Sequence, residues 1–236
     1  MICFDVSGSM EANDFEPNRL EAAKKVVLEF IENMRGNRMA LVMFSGFAFT
    51  QSPLTFDHEI PKNMLADAYT GMVRIDGTAI GDALAVALND LERSENRSKI
   101  IVLLTDGENN RGADPSSVAG IAKKEGIRIY TIGMGTPEGY IFRQKDLFGR
   151  IHTQSTKLNE ELLRNIAGAT GGKYYYGDNA DALKKAYAEI AALEKEKVKT
   201  LKHRVFYPKY RLLNIVLILL LMLEFILIRR RYAICL

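Results

Sequence analysis

The chain has 236 residues, of which 47% are hydrophobic and 26% are charged, and its formal net charge is +3. This composition excludes a disordered acidic or basic tail, and the length suits one sizeable domain with additional segments. The two cysteines, Cys3 and Cys235, lie at opposite ends of the chain, and the three histidines are isolated from one another. We therefore expect neither a disulfide framework nor a zinc site built from cysteine and histidine.

Apolar runs alternate with helical patterns along the first 194 residues. Continuous apolar character is typical of strands that are buried on both faces of a parallel sheet. Such runs cover residues 2–6, 39–44, 100–104 and 127–132. Two more strands are expected, a short antiparallel edge at residues 48–51 and a last strand at residues 173–176.

Helices are predicted between these strands, because apolar residues there recur at helical spacing. They cover residues 18–34, 57–69, 79–93, 115–124, 159–169 and 180–193. Strands that alternate with helices in this way indicate βαβ crossovers. The fold class is therefore predicted as α/β, with a doubly wound, mainly parallel, Rossmann-like sheet and helices on both faces.

The end of the chain is strongly basic. Residues 195–236 hold ten Lys/Arg and two Glu, a net charge of +8, which leaves residues 1–194 at −5. Within this basic end, residues 212–228 are apolar apart from Asn214 and Glu224. At ~1.5 Å per residue this run reaches roughly 26 Å, near the lower limit for a bilayer core.

We therefore predict a transmembrane helix over residues 211–229. A domain over residues 1–194, a basic connector at residues 195–210 and a short tail at residues 230–236 complete the expected organisation. The alternative to the membrane span is a buried core helix. Arg229, Arg230 and Arg231 favour a cytoplasmic C-terminus, but the preceding flank is basic too, so charge does not settle which side the domain faces.

Side chains that carry oxygen lie at three predicted loops. Asp5, Ser7 and Ser9 come at the end of the first strand. Thr78 opens a helix, and Asp106 follows the strand at residues 100–104. The carboxyl ends of parallel strands are where such sheets bind ligands, so we expect the three loops to converge. Two carboxylates and three hydroxyls are hard donors that suit Mg²⁺ or Mn²⁺, whereas each motif alone is equally explained by caps and turns.

This order, Asp-x-Ser-x-Ser followed by Thr and then Asp, resembles the metal-ion-dependent adhesion site of von Willebrand factor A domains. The resemblance covers residues 1 to about 194. It implies that the cofactor is Mg²⁺, with Mn²⁺ or Ca²⁺ as alternatives, and that the open position of the ion takes an Asp or Glu carboxylate from a partner protein. The implied metal residues are Asp5, Ser7, Ser9, Thr78 and Asp106.

Four segments look more specifically like the Bat, or aerotolerance-type, membrane proteins of bacteria. They are residues 15–24 (FEPNRLEAAK), 53–55 (PLT), 76–81 (DGTAIG) and 170–174 (TGGKY). This resemblance implies a bacterial inner-membrane location, a periplasmic domain, related membrane proteins as partners in one complex, and a role in aerotolerance or stress resistance. Two membrane helices normally precede the domain in that family and are absent from this sequence, so we expect a fragment or a misplaced start.

Three aromatic residues are candidates for the rim of the metal face. Phe47 lies in the loop after the second strand, and Tyr140 and Phe142 begin a long loop over residues 140–156. The loop follows the strand at residues 127–132 and should lie on the metal-bearing face, where it would contact a partner. The alternatives are edge packing for Phe47 and a solvated insertion for the loop.

The leading hypothesis is a non-enzymatic, membrane-anchored module that binds a protein through a divalent metal. Nucleic acid is not expected as a partner, since the basic charge belongs to the tail. One alternative is a scaffold that acts through helix surfaces without a metal bridge. A second is an Mg²⁺-dependent phosphohydrolase of the haloacid-dehalogenase type with Asp5 as nucleophile, although Ser7 stands where such enzymes need a second aspartate.

Overall fold

The computed structural model describes residues 1–34, 36–94, 99–145 and 151–202, together with residues 220–222 and 224. By its internal contacts the chain divides into two units, residues 1–195 and residues 196–236. The strands are β1 (Ile2–Asp5), β2 (Met39–Phe44), β3 (Ala48–Thr55), β4 (Ile100–Thr105), β5 (Arg128–Met134), β6 (Tyr140–Lys145), β7 (Ile151–Thr156) and β8 (Tyr174–Gly177). The helices are α1 (Arg19–Asn33), α2 (Glu59–Ala66), α3 (Ile80–Glu92), α4 (Pro115–Lys124), α5 (Glu160–Thr170) and α6 (Ala180–Lys202), and a short 3₁₀ helix covers Gly8–Glu11.

Six of these strands form one sheet in the order β3-β2-β1-β4-β5-β8. β3 is antiparallel to β2, whereas the other neighbouring pairs are parallel. The predicted mainly parallel sheet is thus confirmed. The antiparallel edge is longer than the expected residues 48–51, because two register shifts between β2 and β3 let the pairing continue to Thr55. Pro53 fits there, since an edge strand can lack an amide donor on its outer side.

Apolar layers cover both faces of the sheet, which explains the unbroken apolar runs of β1, β2 and β4. Successive side chains of a strand point to opposite faces. Phe4 accordingly packs in the layer that contains residues of α1 and α6, and Cys3 packs in the layer that contains residues of α3, α4 and α5. Burial of both faces leaves the strand ends, rather than the strand faces, to carry polar side chains.

Within residues 140–156, expected as a loop, residues 140–145 and 151–156 instead form the two strands of the β6–β7 hairpin. The two strands are antiparallel, and their register runs from Tyr140 opposite Thr156 to Lys145 opposite Ile151. The hairpin forms its own two-stranded sheet and contacts the 3₁₀ helix at Gly8–Glu11. It therefore lies beside the loop that follows β1.

Helix α6 continues to Lys202, past the expected end at residue 193. The added residues contain Glu, Lys and Leu and no glycine or proline, so nothing in their composition ends the helix. The first part of the predicted connector at residues 195–210 is consequently helical.

The predicted transmembrane segment at residues 211–229 lies outside the described residues, apart from residues 220–222 and 224, which are helical. The predicted tail at residues 230–236 lies outside them as well. Among the residues that the structure describes, no helix is both long enough and apolar enough to span a bilayer.

Candidate metal centre

The first part of the candidate site is the turn that follows β1. Asp5 Oδ1 accepts a hydrogen bond of 2.9 Å from the Ser7 amide, a local bond that turns the chain away from the sheet. The hydroxyls of Ser7 and Ser9 then lie 3.0 Å apart, where the 3₁₀ helix begins. Asp5 and Ser7 are buried and Ser9 is half-buried. The structure thus brings these three predicted residues together within one turn.

Strand β4 supplies the neighbouring wall. β1 and β4 are parallel, and Phe4 pairs with Leu104, so Asp5 and Thr105 follow side by side. The Thr105 hydroxyl donates to Asp5 Oδ2 at 2.6 Å and accepts from the Gly107 amide at 3.2 Å. Both oxygens of Asp5 are therefore held by neutral donors. Thr105 is a contact of the site that sequence reasoning passed over in favour of the adjacent aspartate.

Thr78 is positioned by two asparagines from the loop after β4. Asn110 Oδ1 accepts from the Thr78 amide at 2.8 Å, and Asn109 Oδ1 accepts from the Ile80 amide at 2.8 Å. Ala79, at the N-cap of α3, has no side chain that could cap the helix, so Asn109 satisfies an amide of its first turn. Sequence reasoning missed both asparagines, because their partners are 29 and 32 residues away.

The start of α3 is also joined to β2, and through it to β1. The Ala79 amide donates to the Ser45 carbonyl at 2.7 Å, and the Val6 amide donates to the Phe44 carbonyl at 2.8 Å. These bonds bring the segment that carries Thr78 to the same sheet edge as the turn after β1. Thr78 itself is buried.

Asp106 is held by donors on both of its oxygens. Its Oδ2 atom accepts from the Thr156 hydroxyl at 2.8 Å and from Arg19 Nη1 at 3.4 Å. Its Oδ1 atom accepts from the Glu108 amide at 3.2 Å. Asp106 is fully buried, so these contacts take the place of water around the carboxylate.

Arg19 is a fully buried residue of this site that sequence reasoning did not select. Its Nε and Nη2 atoms form a bidentate pair with Asp14, at 2.8 Å and 2.6 Å. Its position at the start of α1 was a usable signal, since a positive charge in the first turn of a helix opposes the helix dipole and suggests a specific partner. Thr156, which also contacts Arg19 Nη1 at 3.3 Å, gave no such signal within its polar strand.

The two buried carboxylates of the site, Asp5 and Asp106, differ in the positive charge that lies near them. Burial, and then repulsion from Asp106, raises the pKa of Asp5 to about 7, although hydrogen bonds from Ser7 and Thr105 act in the opposite direction. Burial and Asp106 also raise the pKa of Glu108. Asp106 has a cationic neighbour in Arg19, whereas the hydrogen-bond donors to Asp5 are neutral. A bound cation would supply the missing positive charge.

The donor set fits a hard divalent cation. Within the described part of the chain, no group of three or more His, Cys, Asp or Glu side chains could hold a metal. An ion at this edge would therefore depend on the serine and threonine hydroxyls as well as on the two carboxylates. Such an all-oxygen set suits Mg²⁺ better than zinc.

The aromatic residues predicted at the rim differ in exposure. Phe47 is 51% exposed and Tyr140 is partly buried, but Phe142 is only 5% exposed. Because neighbouring side chains of a strand point to opposite sides, Ile141, which is 71% exposed, takes the outward position instead. Phe142 thus presents little surface to a partner, and its place at the rim stays a prediction. A surface groove of about 530 Å³ lies here, lined by Asn13, Tyr140, Ile141, Phe142 and Thr153.

Residues 1–189 match the von Willebrand factor type A domain. The chain belongs to this family. Among solved structures it is similar to BatB of Bacteroides thetaiotaomicron, with a TM-score of 0.72, 32% identity, and coverage of 82% of this chain and 97% of that one. An aerotolerance-related membrane protein of Bacteroides fragilis, carrying multiple mutations to serines, gives a TM-score of 0.71 and 32% identity, over 81% of this chain and 97% of that chain. The resemblance to Bat proteins is thus confirmed.

Another solved structure to which the chain is similar contains a metal. Proximal thread matrix protein 1 of the mussel byssus, solved with a zinc-occupied adhesion-site motif, has a TM-score of 0.63 and 26% identity, over 82% of this chain and 44% of that one. An uncharacterised protein of Borreliella burgdorferi is 33% identical over 179 residues, which is 74% of this chain and 52% of the relative. A relative in Mycolicibacterium paratuberculosis is 31% identical, and the matched region covers 59% of that relative. The chain thus spans a little over half the length of these relatives.

Proposed function

We propose that this chain is a membrane-anchored, non-enzymatic module that binds a partner protein through a divalent cation. The interaction domain occupies residues 1–194. The basic connector at residues 195–210 leads to a membrane helix at residues 211–229 and a short tail at residues 230–236. The protein acts in a Bat-type complex of the bacterial inner membrane, with the domain in the periplasm, and contributes to aerotolerance or stress resistance.

The observation that carries the proposal is the grouping of hydroxyls and carboxylates at one sheet edge. The Ser7 and Ser9 hydroxyls are 3.0 Å apart next to Asp5, a buried carboxylate without a cationic partner among its hydrogen-bond donors. Thr78 and Asp106 lie in the two adjoining segments. Oxygen donors of this kind are what Mg²⁺, and less selectively Mn²⁺ or Ca²⁺, prefer.

A divalent cation held there would supply an open coordination position for a carboxylate of the partner. The chain's own residues determine how strongly that position attracts an anion. Ser7, Ser9 and Thr78 are neutral, and the charge of Asp106 is partly offset by Arg19 at 3.4 Å. The ion would therefore keep much of its positive charge, which favours an Asp or Glu of the partner as the completing ligand.

The relatives support the metal and the location. The mussel byssus protein carries zinc in its adhesion-site motif, which supports a divalent ion at the corresponding edge here. The similar Bacteroides fragilis protein is described as an aerotolerance-related membrane protein, which agrees with the apolar run at residues 212–228.

The decisive experiment is capture of a partner by the full 236-residue chain in detergent. Detergent-solubilised bacterial membranes are passed over the immobilised chain in Mg²⁺ and in EDTA. Ser9→Ala removes one hydroxyl of the site, and Ser116→Ala removes an exposed hydroxyl from α4 as the matched control. We expect a protein that is retained in Mg²⁺ by the unmodified chain and by Ser116→Ala, but not in EDTA or by Ser9→Ala. Equal retention in all four conditions would contradict the metal bridge and favour a scaffold that binds through helix surfaces.

A further inference from the structure

The β6–β7 hairpin is attached to the candidate metal centre by a side-chain hydrogen bond. The Thr156 hydroxyl, at the end of β7, donates to Asp106 Oδ2 at 2.8 Å. Thr156 is buried and pairs in register with Tyr140, the first residue of β6. The base of the hairpin therefore touches a predicted metal ligand directly, whereas Ile141, one residue further along β6, is exposed.

Arg19 reinforces this attachment. Its Nη1 atom lies 3.3 Å from the Thr156 hydroxyl and 3.4 Å from Asp106 Oδ2, while its other two donors pair with Asp14. Gly135, the residue after β5, leaves the room that the guanidinium occupies, since a Cβ there would lie 2.6 Å from Nη2. One buried guanidinium thus forms hydrogen bonds with three separate segments of the chain and occupies the space beside a fourth.

We propose that Thr156 and Arg19 are positioning residues that couple cation binding at Asp106 to the position of the β6–β7 hairpin. Thr156 and Arg19 hold Oδ2 of Asp106, so they orient the carboxylate toward the ion. The coupling is reciprocal: a cation that fixes Asp106 also fixes Thr156 and the hairpin base. The hairpin is then the part of the interaction surface that responds to the metal. This inference rests on the proposed function.

The first test measures the Mn²⁺ affinity of the full chain in detergent by isothermal titration calorimetry. Thr156→Val removes the hydroxyl at nearly constant volume and leaves the charge unchanged, so we expect about tenfold weaker binding, as for other outer partners of metal ligands. Thr156→Ser restores the donor and should restore the affinity. Thr153→Val, an exposed threonine of the same strand, is the matched control and should bind like the unmodified chain.

The second test is hydrogen–deuterium exchange with and without saturating Mn²⁺. In the unmodified chain and in Thr153→Val, Mn²⁺ should slow exchange in peptides from β6 and β7 as well as in those from the turn after β1. In Thr156→Val at saturating Mn²⁺, the turn after β1 should still be protected, but the added protection of the hairpin should be lost. A merely structural role of Thr156 would change exchange equally with and without the ion.

The outcomes distinguish a failure of the proposed metal-dependent function from a failure of the coupling to the hairpin. If the unmodified chain binds no Mn²⁺, the proposed function fails, and the coupling fails with it. If the unmodified chain binds Mn²⁺ and Thr156→Val binds it equally well with full hairpin protection, the coupling alone is overturned. Weak binding by Thr156→Ser as well as by Thr156→Val would also overturn it, because the hydroxyl would not be the cause.

Discussion

The candidate metal centre has two sides: the turn after β1, here the β1 side, and Asp106 with its partners, here the hairpin side. The hydrogen bonds that form these two sides span very different distances along the chain. On the β1 side, Asp5, Ser7 and Ser9 are linked by hydrogen bonds that span two residues. On the hairpin side, Asp106 is held by Thr156 and Arg19, which lie 50 and 87 residues away. The β1 side is a local turn to which Thr105, 100 residues from Asp5, adds one hydrogen bond, whereas the hairpin side exists only after several segments have packed together.

The two sides also differ in charge. Arg19 lies between Asp14 and Asp106, so the hairpin side contains its own positive charge. Among the described residues, the hydrogen-bond donors to Asp5 are neutral, and its pKa is raised to about 7 by burial first and by Asp106 second. The hairpin side should therefore stabilise the fold without a metal, whereas the β1 side is where a cation is needed. Loss of Arg19 should therefore lower stability even without a metal, whereas loss of the Asp5 charge should act mainly on metal binding.

The largest expected effect is the destabilisation caused by Arg19→Met. Methionine fills similar space but leaves Asp14 and Asp106 without their cation in a buried setting. Removal of one partner from a buried ion pair costs about 3–5 kcal/mol. We expect a loss of this size in the free energy of unfolding, measured by urea denaturation in EDTA.

The matched control is Lys184→Met, which removes an exposed ion pair with Glu29 at 2.7 Å. Exposed pairs are screened by water and salt, so the loss there should be far smaller than for Arg19→Met. Equal losses for the two variants would show that the buried network around Arg19 contributes nothing beyond an ordinary surface pair.

In contrast to Arg19→Met, Asp5→Asn should remove metal binding and leave the fold intact. The amide keeps the shape of the carboxylate but loses the charge, so we expect affinity for Mg²⁺ to fall by at least about 100-fold. Ligand in 100-fold excess over its dissociation constant stabilises a protein by about 2.7 kcal/mol, and this gain should disappear. Thermal denaturation with Mg²⁺ and with EDTA measures both quantities.

In EDTA, Asp5→Asn should change stability by no more than about 1–3 kcal/mol, because relief of the buried charge offsets the loss of one acceptor for the Ser7 amide or the Thr105 hydroxyl. A variant that is still stabilised by Mg²⁺ to the full extent would place the ion elsewhere. A variant that is strongly destabilised in EDTA would instead make Asp5 a structural residue like Arg19.

The same contrast explains which features could be predicted from sequence. Strands β1, β2 and β4 were predictable because both of their faces are covered by helices, which requires continuous apolar runs. The turn after β1 was predictable because its donors are close together in the chain. Both are consequences of local pattern, and the confirmed sheet topology follows from that pattern and the preference for parallel crossovers.

The hairpin and Arg19 could not be predicted in this way. The β6–β7 hairpin pairs only with itself, and its residues 152–155 are exposed, so it lacks the apolar alternation of a half-buried strand. Arg19 reads as a polar position on the surface of α1, although it is fully buried by partners from other segments. Asn109 and Asn110 likewise act on amides that only the folded chain brings near.

The smallest expected effects distinguish two helical glycines and test how tightly the Thr78 segment is held. A Cβ on Gly81, in the first turn of α3, would lie 2.0 Å from the Ala113 carbonyl oxygen, so Gly81→Ala must displace the loop that carries Asn109 and Asn110. Overpacking of this kind costs about 1–3 kcal/mol. Gly120→Ala, in α4, has open space and should gain roughly 0.5–1 kcal/mol from helix propensity. If urea denaturation shows both variants to be stabilised, the loop that carries Asn109 and Asn110 moves aside for the methyl group of Gly81→Ala at no cost. Close packing of that loop would then not be what holds Thr78 at the candidate metal centre.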